Sequence, residues 1–401
     1  MTGRDPHEPH RAATTLELLY DLTFVVAFSA AGNEAAHYVA EGHWGTASIG
    51  FGFAMFAVTW AWIQNTWFAS AYDNDDWIYR LLTMVQMIGV LVLALGLPPM
   101  FESIDHGAHV DNAVMVAGYV IMRVGLIALW IRVLRHDAAR RKCALTYIIT
   151  LTISQIGWIG LLAAELSIGA MFAVAGVLVI IELAGPAIAE RHFGSTPWHP
   201  HHIAERYGLL TIITLGEVIL GTVAALGAVL RAEGWTVETA LVGLAGVALA
   251  FGMWWMYFVT PSAELLHYHR NRSFGWGYGH LPLFASIAAT GVGLHVAALH
   301  IEHEAHISEF AVVLTTAVPV AVYVLCLYGL YTLISREADP FHIWLVGGTA
   351  MVIAAAIIMA AASAPIAACL LVLALAPAVT VVGYEFVGYR HRAEMLDRST
   401  H

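Results

Sequence analysis

LELLYDLTFVVAF, residues 16–28, is apolar enough to enter a bilayer, yet it carries Glu17 and Asp21 four residues apart. On a helix those carboxylates share one face and repel each other. A span that opens this way needs a counter-charge or a proton from elsewhere in the chain. Whether the segment is a span decides the fold.

Composition answers first. The 401 residues are 59% hydrophobic and 12% charged, with a mean hydropathy of +0.72, which places the chain among polytopic membrane proteins. Apolar runs of span length stand at 15–38, 46–70, 77–97, 112–134, 143–164, 167–189, 203–230, 237–259, 276–299, 308–332, 341–362 and 364–387. An all-α protein of about twelve transmembrane helices is expected.

The basic residues test that count. With the N-terminus inside, the inner segments hold Arg4, Arg11, Arg80, Arg132, Arg135, Arg140, Arg141, Lys142, Arg191, Arg206, Arg270, Arg272, Arg336, Arg390, Arg392 and Arg398. The outer loops hold Arg231 alone, and Arg123 lies within a span. This asymmetry predicts cytoplasmic termini and a plasma (inner) membrane location. The first apolar stretch, with its carboxylates and no small-residue cleavage site, reads as a retained helix. A net charge of -11, with its cations dispersed among loops, argues against a nucleic-acid partner. Cys143, Cys326 and Cys369 fall in or at the ends of spans and imply no disulfide framework.

Two six-helix halves are expected, at 15–189 and 203–388, joined by a linker at 190–202 and flanked by cytoplasmic tails at 1–14 and 389–401. ELLYDLTFVV (17–26) aligns with ERYGLLTIIT (205–214), and WIYRL from Trp77 resembles WGYGHL from Trp276. Duplicated helix sets are common in transporters, with sites between the repeats.

Ionisable residues inside a membrane cost roughly 2.5–3.5 kcal/mol each at its centre on insertion scales, so each needs a partner or a wet cavity. Glu17, Asp21, Gln64, Asn65, Glu182, Glu205 and Arg206 are placed toward the inner face, with Gln86, Arg123, Gln155 and Glu217 deeper. In HHIAERYGLLTIITLGEVILG (201–221), Arg206 and Glu217 return to nearly one helical face but lie about 16 Å apart along the axis. Each therefore needs a partner on another helix. Arg206 suits Glu17, Asp21 or Glu182, and Arg123 is the mid-span cation for Glu217.

Histidines beside membrane carboxylates suit proton handling. In HVAALHIEHEAHISE (295–309), His300, His303 and His306 recur at a spacing of three, one face of a helix, among glutamates. That is a weak candidate for a divalent metal, against the plainer reading of a solvated outer loop. WAWIQNTWF (60–68) and MWWMYF (253–258) read as interfacial anchors or packing, with cavity-lining Trp60, Trp67 and Trp254 the alternative. No Gly-rich phosphate loop, nucleophile elbow or HExxH is present.

ELLYDLTFVVAF, HIAERYGLLTIITLGEVILG (202–221) and GHLPLFASIAATGVGL (279–294) resemble, in order, three segments of the bacterial low-temperature-requirement A (LtrA) family. The matched positions include Glu17, Asp21, Phe24, His202, Glu205, Arg206, Gly208, Thr211, Gly216, Glu217, His280 and Pro282. The resemblance implies an integral membrane protein of a family named for a growth phenotype in the cold, with no established substrate or reaction.

On these residues the leading expectation is a secondary transporter or permease, proton-coupled, using Glu17, Asp21, Arg123, Glu182, His202, Glu205, Arg206, Glu217 and His280. Its partners would be the bilayer, a small solute and protons, with no cofactor. A metal-dependent membrane enzyme and a non-transporting scaffold or sensor are the competing readings.

Overall fold

A computed structural model describes residues 1–6, 8, 11–107, 109–164, 166–336 and 340–388. The tail at 389–401, with Arg390, Arg392 and Arg398, lies outside them. Among the described residues there is no strand, and twelve helices are long and apolar enough to cross a membrane. They are α1 (Thr15–Ala40), α2 (Trp44–Tyr72), α3 (Trp77–His106), α4 (Ala113–His136), α5 (Ala138–Leu162), α6 (Ile168–Phe193), α7 (Pro200–Ala232), α8 (Thr239–Tyr268), α9 (Arg270–Ile301), α10 (Glu309–Ser335), α11 (Pro340–Ala361) and α12 (Ile366–Phe386). Each expected apolar run corresponds to one of these spans, α12 being broken between Leu373 and Leu375, and the closely spaced pairs α5 with α6 and α11 with α12 are separate.

Local chemistry sets the ends. Asp76 caps α3 by accepting the Tyr79 amide at 2.8 Å, and Gly107 closes it in the left-handed region at φ +81°. Within α3 the helix is interrupted at Gly96, just before Pro98 and Pro99, because proline supplies no N–H to the ladder.

The side chains are sorted inside out. On α5, Ile153 and Ile156 are exposed while Ser154 and Gln155 are buried. In water this would be costly. In hydrocarbon it is the favourable arrangement, since it keeps the polar groups away from lipid and turns the apolar ones toward it.

By packing, the chain forms two compact units. One comprises Met1–Ala31 and Phe56–Arg206, the other Gly32–Met55 and the chain from Tyr207 onward. In the first, α3 and α4 touch backbone to backbone. A Cβ on Gly89 would meet the Gly118 carbonyl at 2.7 Å, and one on Gly96 would meet the Met115 amide at 2.2 Å. Small residues at such crossings let membrane helices approach closely, and this one holds Gln86 and Arg123 in the interior. The second unit has the same device at α7 and α9, where a Cβ on Gly291 would lie 2.4 Å from the Glu217 carbonyl.

Residues preceding α1 are folded against the end of α2. Arg11 donates to the carbonyls of Ser70 and, at 2.8 Å, Ala69, while Arg4 Nη1 reaches the Asp73 carbonyl at 3.2 Å. They satisfy carbonyls that a helix C-terminus leaves without intrahelical donors, and cations are favourable there.

Candidate functional site

In the first unit the carboxylates of the opening stretch meet a single guanidinium. The sequence T-x-x-E at 14–17 builds a capping box at the start of α1: the Glu17 amide donates to Thr14 Oγ1 at 3.3 Å, and the Glu17 carboxylate accepts the Thr14 amide at 2.8 Å. Capping fixes Glu17 and therefore the stripe that follows, on which Glu17, Tyr20, Asp21 and Phe24 are each at most 2% exposed. From α7, Arg206 grips Asp21 with two bonds, Nε at 3.1 Å and Nη2 at 2.5 Å, and its Nη1 lies 2.8 Å from Glu17 Oε1. Paired parallel bonds of this kind are the strong geometry for arginine and carboxylate.

Two further groups complete the cluster. Trp62 Nε1 donates to Asp21 at 2.6 Å, and His202 Nε2 lies 3.2 Å from both Glu17 oxygens. Two acceptor oxygens facing Nε2 require it to carry the hydrogen, which leaves Nδ1 for any second proton. His199 is fixed differently. Its Nδ1 accepts the His202 amide at 3.3 Å, so its Nε2 donates to the Glu8 carbonyl at 2.8 Å, and burial holds its pKa below the ordinary value. At the end of α2, Asp73 is buried, and burial together with the Glu17 charge pushes its pKa up to about 6. The cluster thus sets Glu17 and Asp21 against Arg206, with the buried Arg11 also within reach of the Glu17 charge.

A second buried network lies in the same unit. Glu182 of α6 accepts from Trp60 at 2.8 Å, Trp158 at 2.9 Å, Tyr119 at 2.5 Å and Arg123 at 3.0 Å. Arg123 also donates to Gln64 at 3.1 Å and to the Tyr119 hydroxyl. This corrects one expected pairing, since Arg123 is taken up by Glu182 rather than by Glu217; of the three alternatives expected for Arg206, it meets Glu17 and Asp21. The carboxylate is saturated with donors and the charges balance, which is the chemistry of a tie between helices. Helix α2 serves both networks, because Trp60 and Trp62, two positions apart, point to opposite sides of it. Both tryptophans are fully buried, packed within the helices, and each also donates a hydrogen bond to a carboxylate.

Tyr20 sits electrically between the networks, since its phenol feels the charges of Asp21, Arg206 and Arg123. Its buried hydroxyl makes no hydrogen bond among the described residues, and neither do Arg123 Nε, Gln86 Nε2 or the amide of Gln155.

The remaining expected site residues are dispersed. Glu205 is exposed and accepts the Ala13 amide at 3.2 Å. In the second unit Glu217 is 8% exposed, and Gly32 and Val292 lie beside its carboxylate. His280, also in the second unit, is enclosed by Tyr207, Trp276 and Phe284. Its Nδ1 donates to the Trp276 carbonyl at 2.8 Å, so its Nε2 accepts from the Tyr257 hydroxyl at 3.0 Å. The shared helical face expected for His300, His303 and His306 does not form. Helix α9 ends at Ile301, and His303 occupies the left-handed region at φ +62°, so the chain has turned away before the second imidazole. Among the described residues no three His, Cys, Asp or Glu side chains come together as a metal site.

Trp60, Trp62, Tyr119 and Trp158 were not legible as site residues. The missed signal lies in composition: buried carboxylates need donors, and aromatic N–H and O–H groups supply them in an apolar setting.

Comparison with known proteins extends over nearly the whole chain. Residues 12–377 match the family model of the bacterial low temperature requirement A protein (LtrA). An uncharacterized protein of Rhizobium meliloti (strain 1021) is 28% identical over 297 residues, covering 69% of this chain and 67% of that protein. No solved structure matches. With its motifs, its twelve apolar helices and this match in agreement, the chain belongs to the bacterial low temperature requirement A family.

Proposed function

We propose that the protein is a secondary transporter of a small solute, coupled to protons, in the plasma membrane with both termini cytoplasmic and its spans arranged as two six-helix halves. The supporting observation is the cluster of Glu17, Asp21, Arg206 and His202, where two buried carboxylates share one guanidinium beside a histidine that has an unused ring nitrogen. A purely structural tie needs one carboxylate, as Glu182 with Arg123 illustrates. A second carboxylate gives the guanidinium two alternative partners, and a proton on either one decides which it holds. Such exchange of partners is how intramembrane ion pairs couple proton binding to a conformational change. Glu217, buried in the second unit, is the second protonatable group in this reading.

The test is proton flux in proteoliposomes carrying a trapped pH dye, driven by outward gradients of amino acids, sugars and inorganic cations in turn. Solute-dependent flux is expected to fall at least tenfold in Asp21→Asn and in Glu217→Gln. Wild-type flux in both variants, at equal protein incorporation, would leave the cluster as a helix tie and refute the proposal.

A further inference from the structure

The second unit carries an apolar groove of about 480 Å³ along its side, walled by four helices. Ala35 of α1, Trp44 and Phe51 of α2, Val292 of α9, and Leu314 and Val318 of α10 outline it. It is within the volume range of small-molecule sites, roughly 300–1,000 Å³. Its walls offer almost nothing for a polar ligand. Of the two hydroxyl side chains lining it, Thr315 spends its hydrogen on the Val312 carbonyl at 2.6 Å, and Ser48 is exposed.

Three observations determine what fills it. First, every wall belongs to a helix apolar enough to cross a membrane, and the groove opens outward, with Val318 53% and Trp44 42% exposed. The medium at that opening is hydrocarbon, which removes water as an occupant. Second, Trp44 is the first residue of its helix, where tryptophan marks the boundary with the headgroups. The groove therefore begins at the membrane interface and runs inward, the path of an acyl chain. Third, the inner wall lies against a carboxylate. A Cβ at Gly32 would lie 3.6 Å from Val292 Cγ2 and equally 3.6 Å from Glu217 Oε2, so the groove-lining Val292 and that carboxylate approach the same point on α1.

We infer that this groove is a binding site for one acyl chain of a membrane phospholipid, which packs on Val292 as the apolar cover of the Glu217 carboxylate. The inference shares Glu217 with the transport reading but does not rest on it, because the labelling reads lipid contact and not proton flux.

The test uses the full chain in nanodiscs containing a phospholipid with a diazirine on its acyl chain, with adducts mapped by peptide mass spectrometry. Adducts at Phe51, Leu314 and Val318 are expected at five times or more the level at Val177 and Ile180, which are 55% and 66% exposed and report ordinary annular lipid. Filling the groove with Ala289→Phe and Ala311→Phe should bring the groove down to the annular level and leave Val177 unchanged. If the double variant does not fold, Ala311→Leu alone should lower groove labelling by at least half. Equal labelling at groove and annular positions overturns the inference, as does labelling unchanged by filling. Disulfide cross-linking of Val318→Cys between copies, with lipid adducts absent, would make a second copy of this chain the occupant and overturn it too.

Discussion

Replacing Glu182 by Leu is expected to cost roughly 3–5 kcal/mol, the range for breaking a buried ion pair from one side. The magnitude follows from what is stranded. The Arg123 guanidinium, 1% exposed, loses its carboxylate partner, and Trp60, Trp158 and Tyr119 lose their shared acceptor. Hydrogen bonds between helices inside membranes average only about 0.6 kcal/mol, so the three aromatic bonds together supply the smaller share and the orphaned charge the larger. Trp60→Phe should accordingly cost about 1 kcal/mol or less. Arg123→Met should fall toward the low end of the ion-pair range, because Glu182 keeps three donors. The double variant Arg123→Met with Glu182→Leu leaves no unpaired charge in this network, so its loss should be about 2–3 kcal/mol smaller than the sum of the singles. Reversible unfolding in mixed detergent micelles, titrated for each member of the cycle, measures this. Additivity within about 0.5 kcal/mol would refute the pairing and the claim that this network is a tie.

Two carboxylates at the ends of helices should respond to pH in opposite directions. Asp73 has a folded pKa of about 6 against an ordinary 3.8, raised first by burial and then by Glu17. Its contribution is therefore full below pH ~4 and is lost as pH rises through 6, a span worth about 3 kcal/mol. Asp73→Asn should abolish that part of the pH dependence, measured as unfolding midpoints between pH 4 and 7.5. For Asp76 the bond from Arg132 holds the pKa well below the usual range, so its stabilisation is present at neutral pH and disappears on acidification below about 4. Asp76→Ala should also lose the cap of α3, about 1 kcal/mol at pH 7. In the second unit, Gly291→Ala should destabilise by about 1–3 kcal/mol through overlap with the Glu217 carbonyl, whereas Gly32→Ala, whose Cβ meets only ordinary contacts, should be neutral or slightly stabilising. Thermal denaturation of both variants distinguishes them, and equal losses would contradict the α7–α9 crossing.

Which parts of the site could be read in advance depended on how local each was. Arg206 was recognisable as the counter-ion of Glu17 and Asp21, because all three lie at the start of their helices and therefore at similar depth. The capping box at 14–17 was equally open to reading, being four consecutive residues. The partner of Arg123 was not: Glu182 lies 59 residues away in sequence, and Glu217 offered the same charge. Nor could WAWIQNTWF announce that Trp60 and Trp62 serve different carboxylates, since that depends on which helices flank α2. The histidines at 300–306 failed for a local reason, a helix end at Ile301 that the three-residue spacing conceals.

By itself the sequence determined that this is an all-α chain with twelve helices apolar enough to span a membrane, because that partition sums hydrophobicity over about twenty contiguous residues and needs no knowledge of neighbours. Only the tertiary structure decided which buried charge answers which. In a medium without water each charge must be met by groups within a few ångströms, and the candidates lie on different helices. Their choice depends on how those helices cross, down to the absence of a Cβ at Gly89 and Gly118 that lets α3 and α4 touch.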